Sequence, residues 1–339
     1  MRRLHLYCGS PDVEDELIAE LKQRTGDVKA IAPGLVRCGA VVDAVFARQI
    51  LIDAHALVHK THAELAAALL DVDGVPFAGP AIDVDAPELP RTGSQDKGRH
   101  PLAESALALQ ETLRKKTEGR RQQGKLGPPT KARMRVVLEA PWTAWRSLQD
   151  AGGDVDALTA WPSPFPAGRA IGAETARDAP SSAHRKLEEA FAWLGIAPST
   201  GDVVVDLGAA PGGWTRVLRD RGATVVAVDR AALDPAIARD PLVTHLKKDA
   251  LDVDLAAHVP AFVVCDVIWE PANTLVVVER ALKVPSVRGV VATIKLRRPV
   301  DHEVIKRAVD TATNTPGWSG RVKHLVANKL EVTLLMRRD

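Results

Sequence analysis

From residue 181 onward, short apolar runs alternate with stretches of helical spacing. Val203-Val204-Val205-Asp206, Thr224-Val225-Val226-Ala227-Val228-Asp229 and Phe262-Val263-Val264-Cys265-Asp266 each end in an aspartate. Val290-Val291-Ala292-Thr293-Ile294-Lys295 ends instead in a lysine. Near-continuous β-branched runs separated by helices fit a parallel sheet covered on both faces. The pattern therefore predicts a doubly wound α/β domain, preceded by a helix over 186–194. The earlier part reads as smaller α+β pieces. Residues 4–8 alternate like a strand, and Leu17, Ile18 and Leu21 repeat at helical spacing up to Gly26. Leu57, Val58, His59, His62, Leu65 and Leu69 predict a second helix over 53–70. Residues 81–86 alternate like a strand, Leu102, Ala106, Leu109 and Leu113 predict a helix over 102–117, and 133–139 predict a strand. Breaks near Pro80, at Thr92-Gly93-Ser94 and from Pro162 to Gly168 read as linkers.

Composition narrows the class. The 339 residues are 46% hydrophobic and 26% charged, the profile of an ordinary globular protein with two or three domains. No run reaches the roughly 18 apolar residues of a membrane span, so a cytoplasmic location without membrane contact is expected. Cys8, Cys38 and Cys265 lack metal-ligand spacing and read as reduced thiols. His55, His59 and His62 resemble a helical ligand set, but no carboxylate or cysteine pattern completes it, so no metal is expected. A net charge of +2 conceals a segregated distribution. Between residues 114 and 135 lie Arg114, Lys115, Lys116, Arg120, Arg121, Lys125, Lys131, Arg133 and Arg135, with Glu118 alone opposing them. Such a block suits a polyanion; a solvated helix face with a loop is the plainer alternative.

Asp206-Leu207-Gly208-Ala209-Ala210-Pro211-Gly212-Gly213-Trp214 follows one predicted strand and opens a helix. Small residues there let a ligand approach the backbone at a helix N-terminus. The turn departs from GxGxxG, which disfavours a pyrophosphate cofactor. Asp229 ends the second strand, where an acid suits ribose hydroxyls, and Asp249 falls where a third strand should end, within reach of an adenine amino group. A glycine turn with three strand-terminal acids in register points to S-adenosylmethionine, held by Asp206, Gly208, Ala210, Pro211, Gly212, Gly213, Trp214, Asp229, Asp249 and Asp266. In open α/β sheets ligands sit at the carboxyl ends of the strands. Asp266 and Lys295 both end there, either as chemistry or as a structural ion pair.

On these residues the stretch 181–339 resembles the FtsJ-like 2'-O-ribose RNA methyltransferases. The resemblance extends to Lys186-Leu187-Glu188-Glu189-Ala190-Phe191 and Glu331-Val332-Thr333, and is strongest to the branch acting on cytidine in bacterial 23S rRNA. Ser163-Pro164-Phe165, Asp178-Ala179-Pro180-Ser181 and, in the first part, Phe46-Ala47-Arg48-Gln49 match as well. Two positions depart: the family's cysteine in the glycine turn is Ala210 here, and a cofactor-holding serine is Ala183. The resemblance implies a catalytic tetrad of Lys186, Asp266, Lys295 and Glu331, with Lys295 as general base. It also implies a ferredoxin-like domain over 1–75, a THUMP-like RNA-binding domain over 76–165, and a Rossmann-like methyltransferase domain over 166–339. Arg114, Lys115, Arg120, Arg121, Lys125 and Arg133 would then contact RNA, free or in a ribosomal precursor, with a monomer favoured. The competing expectations are transfer to a tRNA or a small molecule, and a silent RNA-binding protein.

Overall fold

The computed structural model describes residues 4–70, 81–85, 101–123, 133–149 and 183–339. The chain divides into two compact units, Met1–Arg169 and Ala170–Asp339. The first unit contains two four-stranded sheets. One is built from β1 (His5–Gly9), β2 (Val28–Ala32), β3 (Leu35–Cys38) and β4 (Ala47–Leu51), in the order β2-β3-β1-β4, with α1 (Glu14–Lys22) between β1 and β2. The other takes β5 (His55–Val58), β6 (Ala81–Asp85), β7 (Arg133–Ala140) and β8 (Thr143–Gln149), in the order β5-β8-β7-β6. Helices α2 (His62–Leu70) and α3 (Pro101–Gln122) cover one face of this second sheet. Alternation along β7 explains the layering. Met134, Val136 and Leu138 pack with Leu65, Leu69, Leu109 and Leu113 of the helices, while Val137 turns to Leu6, Leu35 and Leu51 of the first sheet.

Two expectations change here. The helix foreseen over 53–70 begins only at His62, because 55–58 extend as β5 against β8. The three histidines therefore do not share a helix: His55 lies on the strand, His59 in the connection and His62 at the helix start. The ferredoxin-like order βαββαβ forms only in part. Residues 39–46 hold turns where its second helix belongs, whereas the sheet keeps that fold's strand order, β4-β1-β3-β2, with antiparallel neighbours throughout. β5 and α2, both from the stretch 1–75, belong to the second sheet. The linkers expected at 92–94 and 162–168, along with Lys125, lie outside the described residues.

The second unit is a single seven-stranded sheet. It comprises α4 (His184–Leu194), β9 (Val203–Leu207), α5 (Gly213–Asp220), β10 (Thr224–Val228), α6 (Pro235–Ala238), β11 (Val243–Leu246), β12 (Phe262–Cys265), α7 (Pro271–Leu282), β13 (Gly289–Lys295), α8 (His302–Asn314), β14 (Trp318–Lys323) and β15 (Glu331–Arg338). The strand order is β11-β10-β9-β12-β13-β15-β14. β9 to β13 run parallel, and β15 is inserted antiparallel beside β13. The steps β9→β10 and β12→β13 travel in opposite directions across the sheet. Right-handed crossovers then place α5 and α7 on opposite faces, which is the doubly wound, Rossmann-like arrangement foreseen. Chain order reverses between β9 and β12, and a crevice opens there at the carboxyl ends.

Close packing of the last two strands gives a stability test. A Cβ built on Gly320 of β14 would lie 2.8 Å from the Leu335 carbonyl and 3.0 Å from the Ala312 carbonyl, both backbone atoms. Gly320→Ala should lower urea-unfolding stability by about 1–3 kcal/mol. Gly119, on α3 with nothing within 4 Å of its added Cβ, should instead gain about 0.5–1 kcal/mol as Gly119→Ala. Equal midpoints for the two variants would refute the packing argument.

Candidate functional site

One helix and three strand ends bring four charged side chains together. Lys186 lies in the first turn of α4, Asp266 follows β12, Lys295 ends β13 and Glu331 begins β15. Antiparallel pairing sets Lys295 directly opposite Glu331. Lys186 Nζ donates to Asp266 Oδ2 at 2.7 Å and to Glu331 Oε1 at 2.9 Å. Lys295 Nζ donates to Asp266 Oδ1 at 2.5 Å and to Glu331 Oε2. The result is a closed ring in which each ammonium meets both carboxylates. Side-chain exposure runs from 9% for Lys186 and Glu331 to 17% for Lys295, so water screens these pairs weakly. The ring was expected as two lysines and two acids; the bonds closing it on all four sides are what the structure adds.

Its supports were not foreseen. Thr293, two residues before Lys295 on the same strand face, donates its hydroxyl to Asp266 Oδ1 at 2.6 Å. Asn328 Nδ2 donates to Glu331 Oε1 at 3.2 Å, while Asn328 Oδ1 accepts the Thr333 hydroxyl at 3.1 Å and the Leu325 N–H at 2.7 Å. Period-two alternation along β13 carried a signal for Thr293. Asn328, in a connection, carried none.

Burial alone would disfavour every charge in the ring. For Lys295 that effect is outweighed by the attraction of Asp266 and Glu331, and its pKa lies above the ordinary lysine value. Burial likewise opposes ionisation of Glu331, yet the two ammonium groups pull its carboxyl down to about 2. At Lys295 the two acids thus outweigh burial.

The glycine turn runs beside the ring. Gly208 and Gly212 have φ of +80° and +121°, and a Cβ on Gly208 would lie 2.8 Å from Val267 Cγ2. Trp214 is buried, and its Nε1 donates to the Ala183 carbonyl at 2.8 Å, tying α5 to the start of α4. Asp206 is buried at the end of β9. Its Oδ2 accepts the Thr215 hydroxyl at 2.6 Å, while its Oδ1 has no hydrogen-bond partner. Burial pushes its pKa up to about 7. Asp229 accepts the Ala210 and Ala231 N–H groups at 3.0 and 2.9 Å. Asp249 caps a short turn three residues past β11 and faces Arg230 at 3.4 Å. An orphaned buried carboxyl oxygen, a backbone without Cβ obstruction and two further acids fit a cationic, phosphate-free nucleoside. A cavity of about 360 Å³ joins turn and ring, lined by Ala183, Gly208, Ala209, Ala210, Pro211, Gly213, Trp214, Ile268, Ala327, Lys329 and all four ring residues. Among the described residues, no group of three or more His, Cys, Asp or Glu side chains could hold a metal.

The basic segment is less uniformly cationic than its sequence window. On α3, Arg114 pairs with Glu111 and Glu118 at 2.8 and 3.2 Å, and Lys115 pairs with Glu111 at 3.5 Å. Helical spacing brings in Glu111 from outside the window. Arg120 donates to the Leu70 carbonyl at 3.0 Å. The side chains of Arg121 and Arg133 lie outside the described residues.

Residues 180–334 match the family model for the FtsJ-like methyltransferases. The chain is 39% identical over 165 residues to ribosomal RNA large subunit methyltransferase M of Halorhodospira halophila, covering 47% of this chain and 48% of that one. To the protein of the same name from Pseudomonas entomophila it is 33% identical over 175 residues, with the same coverage of each chain. The chain spans about half the length of the curated relatives it matches. Among solved structures, a provisionally named hemolysin from Lactococcus lactis aligns at 22% identity and TM-score 0.40, over 48% of this chain and 89% of that one. Over residues 180–334, the chain carries an FtsJ-like methyltransferase domain.

Proposed function

We propose that the protein transfers a methyl group from S-adenosylmethionine to a ribose 2'-hydroxyl of RNA, a cytidine of bacterial 23S rRNA being the favoured acceptor. The observation that carries this reading is the closed ring of Lys186, Asp266, Lys295 and Glu331, set in one cavity with the glycine turn. The names of the relatives, which are ribosomal RNA methyltransferases, support the substrate class. When bound, S-adenosylmethionine supplies a methyl on a sulfonium, so the protein's tasks are placement and proton removal. Residues 206–214 would hold it, with Asp229 on the ribose hydroxyls, Asp249 on the adenine amino group and Asp266 at the reacting end.

A lysine ammonium has three N–H directions. Asp266 and Glu331 take two of those on Lys295, and the third is left to the cavity that Lys295 lines. A 2'-hydroxyl entering there meets that nitrogen. With the amine neutral, its lone pair accepts the hydroxyl proton, and the two carboxylates stabilise the ammonium that forms. The neutral amine is the scarce state. Lys186, the like charge across the ring, works against its scarcity. RNA rather than DNA follows, since DNA lacks the acceptor oxygen. The second sheet of the first unit and its basic segment would serve as a THUMP-like module that positions the RNA by phosphate contacts.

Three outcomes are expected. Lys295→Ala should lower transfer of labelled methyl to total RNA by at least about 10²-fold, with cofactor affinity by calorimetry unchanged; near-wild-type turnover would remove Lys295 from its role. Because Asp266 and Glu331 raise the pKa of Lys295, kcat/KM should climb with pH and show no plateau below its ordinary value of 10.5. A profile levelling near pH 7 would assign the proton to another group. In the basic segment, Arg121→Gln, Lys125→Gln and Lys131→Gln together spare Arg114 and Arg120, which have partners within the chain. The triple variant should flatten the log–log dependence of RNA affinity on salt, by about 0.7–0.9 per lost phosphate contact. An unchanged slope would return the segment to a solvated surface.

A further inference from the structure

Of the cavity-lining residues outside the ring and the glycine turn, Ile268 and Lys329 carry the two large side chains, and two connections present them. The first connection leaves β12 through Asp266 and enters α7 at Pro271. It is tied at both ends. Trp269 Nε1 donates to the hydroxyl of buried Thr274 at 2.8 Å, and that hydroxyl donates to the Thr293 carbonyl at 3.2 Å. Glu270 pairs with Arg297 at 2.6 Å. Between these ties and Asp266, which the ring holds, Ile268 is 89% exposed and lines the cavity. A large aliphatic surface thus stays in water.

The second connection, residues 324–330, is built on buried polar side chains. His324 Nε2 lies 2.9 Å from the Lys329 carbonyl, Asn328 Oδ1 accepts the Leu325 N–H, and Glu189 of α4 accepts the Val326 N–H at 2.9 Å. All three of these side chains are almost inaccessible to water. They fix a short segment whose outward residue is Lys329, exposed on the cavity wall. Lys329 has no ion-pair partner among the described residues. An apolar side chain and a cation that line one cavity, together with the group that would meet a hydroxyl, match the parts of a single nucleotide.

We propose that this rim seats the acceptor nucleotide: its base packs on Ile268 and its adjoining phosphate pairs with Lys329. The inference rests on the reading of the protein as an RNA methyltransferase and adds how the acceptor is turned toward Lys295. Both connections are held before RNA arrives, so little ordering accompanies binding.

Methyl transfer to an unmodified 23S rRNA transcript, with labelled S-adenosylmethionine, gives the test. Ile268→Ala should raise KM for the transcript about tenfold through lost apolar contact, with kcat retained and Ile268→Leu restoring KM. Lys329→Ala should raise KM and lower the salt slope of log KM by about 0.7, the share of one single-strand phosphate, with Lys329→Arg restoring it. Cofactor affinity and thermal midpoint should match wild type in all four variants, which separates a binding role from a structural one. Wild-type KM and slope in both alanine variants, on a transcript that the wild-type protein methylates, would overturn the rim assignment alone. No methyl transfer to RNA by the wild-type protein would instead overturn the functional reading, and the rim assignment with it.

Discussion

Four charges withdrawn from water, each satisfied by the others, govern the second unit. Removing a lysine or a carboxylate from water costs several kcal/mol, and only close, well-aligned partners recover it. The ring of Lys186, Asp266, Lys295 and Glu331 supplies them because α4, β12, β13 and β15 converge on one point. Pairing register is part of the device. Lys295 stands opposite Glu331, and Thr293 opposite Thr333, so one face of two neighbouring strands carries two ring members and two of the supporting hydroxyls. A one-residue slip would send Glu331 to the other face and leave two lysines facing one acid.

The same convergence explains why cofactor turn and ring share a cavity. β9 and β12 are neighbours across the point where chain order reverses, and the Asp266 N–H donates to the Leu207 carbonyl at 3.0 Å. The connection after β12 therefore lies against Gly208, where a side chain would collide with Val267. Glycine at that position is a condition for the two halves of the site to meet. The ring itself holds two positive and two negative charges. It exerts little net pull on a polyanion, which on the proposed reading leaves the attraction of RNA to cations outside it.

Much of this arrangement was legible in the chain. The apolar runs ending in Asp206, Asp229, Asp266 and Lys295 announced a covered parallel sheet and its ligand edge, because buried parallel strands leave so little freedom of composition. Lys186 and Glu331 were legible only through resemblance: one lies in an ordinary amphipathic helix and the other opens an apolar strand. The partly exposed β2 and the short β3 gave no comparable signal, and 53–70 misled because apolar spacing near a strand-to-helix change imitates a longer helix. Asn328 and Lys329 were silent for another reason. Their roles come from a connection shaped by His324 and Glu189, which no local pattern encodes. The count of nine basic residues likewise overlooked Glu111, a turn upstream, which helical geometry folds onto Arg114 and Lys115.

The bond between Lys186 and Glu331 joins residues 145 positions apart. Every strand of the sheet from β9 to β14 lies in that interval. Closing so long a loop is paid for in chain entropy before any contact rewards it. The ring is thus complete only when the strands in that interval are in place, and a partly folded molecule would hold lysines without their acids. On the proposed reading of Lys295, proton acceptance is in this way confined to the finished sheet.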